Sequence, residues 1–106
     1  MAKDNIFAVQ TPLGFAVRVT NTYWDIIIST KHPVMRGKES KVKEALENPD
    51  QIRKSKSDPN VFLFYNKEKD KRWTCAIAKR VKGDEGFLIT TYPTDSIKEG
   101  EVIWKK

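Results

Sequence analysis

Three short separators, "KSDPN", "KEKDK" and "KGDEG", divide the second half of this chain into four segments, "QIRKS", "VFLFYN", "RWTCAIAKRV" and "GFLITTYP". Each segment is rich in β-branched or aromatic residues or alternates apolar with polar ones, and each separator is short and turn-forming. Consecutive strands are therefore expected to pair antiparallel as a meander. Ahead of them, from Gly37 to Asn48, "GKESKVKEALEN" changes period: Val42, Ala45 and Leu46 fall at helical spacing and the other positions are mostly charged. That helix must stop before Pro49, which lacks an amide and disfavours a helical residue before it. The pattern predicts an α+β domain with one main amphipathic helix packed on a four-stranded antiparallel meander sheet.

The first thirty residues read as short strands: "FAVQ", "GFAVRVT" after the breaker Pro12-Leu13-Gly14, and "YWDIIIST" after Asn21-Thr22. In the last of these, Ile26 to Ile28 are apolar without alternation and fit either a strand or a short helix. The tail "TDSIKEGEVIW" carries Ile97, Val102, Ile103 and Trp104, enough apolar surface to dock and close the core. A chain of 106 residues supplies one such core, so a single domain over residues 1–106 is expected. The one cysteine, Cys75, lies in the alternation "RWTCAIAKR", where a small buried thiol fits. It cannot form an internal disulfide, and a reducing compartment fits. The first residues lack a signal peptide's apolar stretch, and the longest apolar run, "VFLFY", is far too short to span a bilayer. A cytoplasmic protein without a membrane partner is expected.

The net charge of +6 is unevenly distributed. Residues 31–82 hold fifteen Lys and Arg against seven Asp and Glu, whereas residues 1–30 balance and residues 83–106 are net acidic. Such a footprint suits approach to a polyanion, although a lysine-rich solvated surface would look the same. Lys31, Arg36, Lys54, Lys56, Lys79 and Arg80 are the candidate nucleic-acid contacts. With one Cys and one His there is no zinc constellation, and no phosphate-cradling or dinucleotide glycine motif is present, so no cofactor is expected. Scattered carboxylates also argue against a Mg²⁺ cage.

Metal-free RNA cleavage needs little from a protein. The substrate supplies its 2′-hydroxyl as nucleophile; the protein supplies a base, an acid and groups that stabilise charge on the phosphate. His32, Arg53, Ser55, Tyr65, Lys79, Arg80, Thr90, Thr91 and Tyr92 could meet on one sheet surface. Regular alternation puts Thr90 and Tyr92 on one side with Leu88, and Thr91 on the other with Phe87 and Ile89.

Taken in order, "KHPVM" before the helix, "NPDQIRKSKSD", "VFLFY", "WTCAIAKR" and "GFLITTYPTD" resemble the barnase-EndoU-colicin-RelE-like (BECR) nuclease superfamily, most closely its phage-associated branch. The resemblance runs from Trp24 to Trp104. It implies a barnase/RelE-like sheet whose exposed face cleaves RNA without metal, hence a small endoribonuclease, toxin-like or phage-linked. By the same resemblance the catalytic set is His32, Arg53, Ser55, Tyr65, Thr91 and Tyr92, the partner is the RNA phosphate backbone, and a proteinaceous inhibitor or antitoxin is a further partner.

Each assignment has a plainer alternative. His32 before Pro33 suits a turn, Arg53 a surface ion pair, Tyr65 a strand at the sheet centre, and Thr90 and Thr91 any strand. Trp24, Trp73 and Trp104 read as core. Lys67, Lys69, Lys71 and Arg72 alternate with Glu68 and Asp70 and read as a solvated hairpin loop. A non-catalytic nucleic-acid-binding module on the same basic face is the main rival; it is favoured if His32 and Arg53 lie far apart.

Overall fold

The computed structural model describes residues 5–97 and 100–106. Strands β1 (Asn5–Gln10) and β2 (Ala16–Thr20) form a hairpin around Pro12-Leu13-Gly14, with Gly14 at a φ of 88° that suits glycine alone. At the end of β2 the Thr20 hydroxyl accepts the Tyr23 amide at 3.1 Å. This N-cap turns the next segment into helix α1 (Asn21–Ile26) rather than a third strand. Trp24, Ile27 and Ile28, three and four residues apart, then share one buried side. The strand reading of "YWDIIIST" is thus corrected, and the uniform isoleucine run belongs to a helical segment.

After α1 the chain widens into a π-helical turn, Ile27–Lys31, closed by the His32 amide on the Ile27 carbonyl at 2.7 Å. Ser29 and Thr30 donate back to the carbonyls of Asp25 and Ile26. Pro33 cannot continue the ladder, and it holds His32 out of the helical region at φ −142° and ψ 77°. A short 3-10 turn, Pro33–Met35, leads into helix α2 (Glu39–Glu47), which buries Val42, Ala45 and Leu46 and ends before Pro49. This helix matches the sequence reading closely.

Strands β3 (Gln51–Lys54), β4 (Val61–Lys69), β5 (Arg72–Lys82) and β6 (Glu85–Thr94) follow, and within these four each strand pairs antiparallel with the next. They are the centre of a larger sheet, not a free-standing four-stranded one. β2 pairs parallel with β6, and the last strand, β7 (Glu101–Lys105), pairs with β3. The result is a seven-stranded mixed sheet in the order β1-β2-β6-β5-β4-β3-β7 with two α-helices, within the α+β class. Local turn chemistry reveals hairpins; it carries no signal for the β2–β6 and β3–β7 pairings, whose partners are far apart in sequence.

The main core lies on the inner face, where Ile52, Phe62, Phe64, Ala76, Ala78 and Leu88 meet the helices. Trp104 of β7 packs against it, whereas Val102 and Ile103 are exposed, so the tail docks on the main core only through Trp104. A smaller cluster of Leu63, Tyr65 and Cys75 occupies the outer face. Gly86 ties the β2–β6 join to the core: a Cβ there would stand 2.6 Å from the Lys79 carbonyl oxygen and 2.8 Å from the Phe15 ring. Gly86→Ala should cost about 1–3 kcal/mol in a denaturant melt, the range for overpacking a filled site.

Candidate nucleic-acid interface

Strands β6 and β7 lie at opposite sides of the four antiparallel strands, and the chain enters the crossing between them on the outer face, at Ile97. Ile97 packs against the Leu63, Tyr65 and Cys75 cluster together with Trp73, Ile77 and Tyr92. Farther along, the Gly100 carbonyl accepts from the Arg53 guanidinium at 3.2 Å. Gly100 lies so close to β3 that a Cβ would stand 2.6 Å from the Lys54 carbonyl oxygen, and its φ of 82° is a glycine conformation. Ile97 covers part of the middle of the outer face. Tyr65 is only 2% exposed.

Along a strip of β6, Phe87 is exposed, and Ile89, Thr90 and Tyr92 are half-buried. A β-bulge sets its composition: Thr90 lies opposite Ile77, but Leu88 lies opposite Ala78, leaving Ile89 as the extra residue. A bulge of one residue inverts the faces on one side of it. Leu88 and Thr91 therefore point to the inner core, whereas Phe87, Thr90 and Tyr92 share the outer face, correcting the assignment from regular alternation. Thr91 is fully buried and donates to the Cys75 carbonyl at 2.8 Å, which removes it from any surface site. The Thr90 hydroxyl is buried without a hydrogen-bond partner among the described residues.

Past the short β2 pairing, α1 and the π-helical turn run beside the edge of β6. Tyr23 donates its hydroxyl to the Ile89 carbonyl at 2.7 Å, and the Lys31 ammonium donates to that hydroxyl at 3.0 Å and to the same carbonyl at 3.4 Å. The His32 ring, held by the Pro33 constraint, lies 5.2 Å from the Tyr92 ring at a 42° tilt. At the other end of the strip Arg18, opposite Phe87 in the parallel pair, donates to the Gly86 carbonyl at 3.3 Å. Beyond Tyr92, the Lys67 ammonium sits 5.8 Å from the centre of the half-buried Trp73 ring. The outer face thus carries Phe87, Tyr92 and Trp73 in sequence along β6 and β5, with Arg18, Lys31 and Lys67 beside them.

The other residues singled out from the sequence do not join this strip. Arg53 is on β3, three strands from Tyr92, a separation of about 14 Å. Its Nε donates to Gln51 Oε1 at 2.8 Å, which, with the Gly100 contact, holds it on the β7 side. Ser55 follows β3, its hydroxyl 3.2 Å from that of Ser57. Lys54 ends β3, Lys56 is exposed in the loop after it, and Arg36 is exposed after the 3-10 turn. Lys79 forms an ion pair with Asp58 at 3.2 Å. The Asn60 amide and then Lys79 hold the Asp58 carboxyl below its ordinary value, so it stays charged and offsets that lysine. Arg80 lies over the Phe15 ring at 5.1 Å and donates to the Gly83 carbonyl.

Charge availability separates the cations further. Lys41 pairs with Glu68 at 2.8 Å. Burial raises the Glu68 carboxyl, but hydrogen bonds from Lys41 and Thr74 outweigh it and leave the group below its ordinary value. With Glu68 so engaged, Lys67, Lys69, Lys71 and Arg72 are exposed and form no ion pair with a described residue. Lys31 forms none either, and Arg18 reaches Glu85 only at 3.9 Å. Sequence reasoning missed Arg18, Tyr23, Phe87, Lys67 and Trp73. The alternation of Arg18 and Thr20 with buried valines was the one legible sign that this part of β2 has an outward face.

Among the described residues no His, Cys, Asp and Glu cluster could hold a metal ion, and no helix is long and apolar enough to cross a membrane. No family model matches the chain, and neither a curated protein nor a solved structure does.

Proposed function

We propose that this chain is a single-stranded RNA-binding module that holds its ligand along the outer face of β6. The observation that carries the reading is the row of Phe87, Tyr92 and Trp73 flanked by Arg18, Lys31 and Lys67. Aromatic side chains on a sheet surface stack unpaired bases, and cations beside them hold the backbone phosphates. At about 3.3 Å per residue the row is some 20 Å long, enough for a few nucleotides. A duplex hides its bases and suits this surface poorly.

The BECR resemblance supports a second reading, a metal-independent endoribonuclease, and one contact favours it: the His32 imidazole against the Tyr92 phenol, with Lys31 adjacent. Those groups could exchange protons with a 2′-hydroxyl and a leaving oxygen. Against it, Arg53 is held on the far side of the crossing, Tyr65 lies beneath it and Thr91 faces the core. Of the proposed catalytic set, His32 meets Tyr92, and Tyr92 packs against the outer cluster that holds Tyr65.

One experiment separates the readings. A labelled oligoribonucleotide is titrated with protein in excess chelator, and the same samples are run on a denaturing gel. The binding module predicts saturable binding, weaker binding of the matching duplex, and an intact strand. Fragments ending in a 2′,3′-cyclic phosphate, lost in His32→Ala, would establish the second reading; no binding at low salt would overturn both.

A further inference from the structure

Where β2 parts from β6, the outer face opens into a cleft of about 150 Å³ lined by Arg18, Val19, Thr20, Tyr23, Phe87 and Leu88. Its wall is mainly apolar, and Phe87, at 36% exposure, is poorly covered for a phenylalanine on a strand. We infer that this cleft is a base-selective subsite that takes one pyrimidine of the bound strand; the inference rests on the single-stranded RNA reading above.

Size comes first. An apolar space of about 150 Å³ matches a single six-membered aromatic ring, so a pyrimidine fills the cleft, whereas the fused rings of a purine would extend out of its open mouth. Polarity agrees with this. The Tyr23 hydroxyl is already engaged, donating to Ile89 and accepting from Lys31. The Thr20 hydroxyl accepts from the Tyr23 amide, which leaves its own hydrogen to donate. Arg18 commits one N–H to the Gly86 carbonyl and keeps others. The available polar groups are thus donors, matched to the ring carbonyl oxygens of a pyrimidine and to the phosphate beside it. Phe87 supplies the stacking face. Phe87 of the cleft and Tyr92 lie on the same face of β6, so a base stacked on Phe87 continues the row of stacked bases.

The test compares short oligouridylate and oligoadenylate of equal length, on wild type, Phe87→Ala and Arg18→Ala. Wild type should prefer the pyrimidine strand about tenfold, the usual scale for one stacked base. Phe87→Ala should abolish that preference while retaining binding through the phosphates, and Arg18→Ala should weaken the pyrimidine strand more than the purine strand. Equal affinity for both strands in wild type, or a preference unchanged in Phe87→Ala, would overturn the subsite while leaving RNA binding intact. A protein that binds neither strand fails the broader reading instead. Titration of uridine 5′-monophosphate, followed by amide chemical shifts, then decides the cleft alone: shifts centred on Arg18, Thr20 and Phe87 support it, and none there refutes it.

Discussion

Raising salt from 50 to 200 mM is expected to weaken the complex with a single-stranded oligoribonucleotide about twenty-fold. The figure follows from three phosphate contacts, by Arg18, Lys31 and Lys67, each releasing about 0.7 counterion from a single strand. The count takes only the cations that lie beside the aromatic row. Lys79 is offset by Asp58 and Lys41 by Glu68, so neither is counted despite lying in the basic stretch of the chain. Affinity measured at four or more salt concentrations gives the slope. A slope near zero would remove the phosphate contacts, and one twice as steep would mean that cations outside the strip take part.

The second large effect distinguishes a located site from diffuse positive charge. Lys31→Glu combined with Lys67→Glu should weaken binding about a hundred-fold, since each reversal removes a phosphate contact and adds a repulsion, together roughly tenfold. Lys43→Glu with Lys56→Glu changes the net charge equally, at exposed positions on helix α2 and in the loop after β3. That control should change affinity less than about threefold. Equal losses in the two pairs would show that only net charge matters and that the aromatic row has no special place. Thermal melts of both variants separate binding from folding.

Much of this architecture could be read from residues close together in the chain. Helix α2 follows from Val42, Ala45 and Leu46 and from Pro49, and β3 to β6 follow from turn residues between apolar runs. The interface was harder to see, for three physical reasons. First, counting by twos along β6 presumes an unbroken pleat; the extra residue at Ile89 moves Phe87 to the outer face with Tyr92. Second, Arg18 and Gly86 are 68 residues apart, and the parallel pairing that joins their strands leaves no mark in local sequence. Third, Lys67 belongs to β4, which extends through the supposed loop and sets that lysine over Trp73. His32 was legible as a residue held by Pro33 next to the helical segment, but its neighbour Tyr92 was not, and Arg53 proved to lie three strands from Tyr92, next to β7.

The proposed RNA-contacting surface is the central claim, and photocross-linking maps it most directly. A uniformly 4-thiouridine-substituted single strand is irradiated with the wild-type protein, and the adducts are located by peptide mass spectrometry. Adducts on β5 and β6 peptides containing Trp73, Phe87 and Tyr92, and on the segment holding Lys31 and His32, are the predicted result. Adducts confined to α2 or to the Lys54–Asn60 loop, with the β6 peptides unmodified, would contradict it.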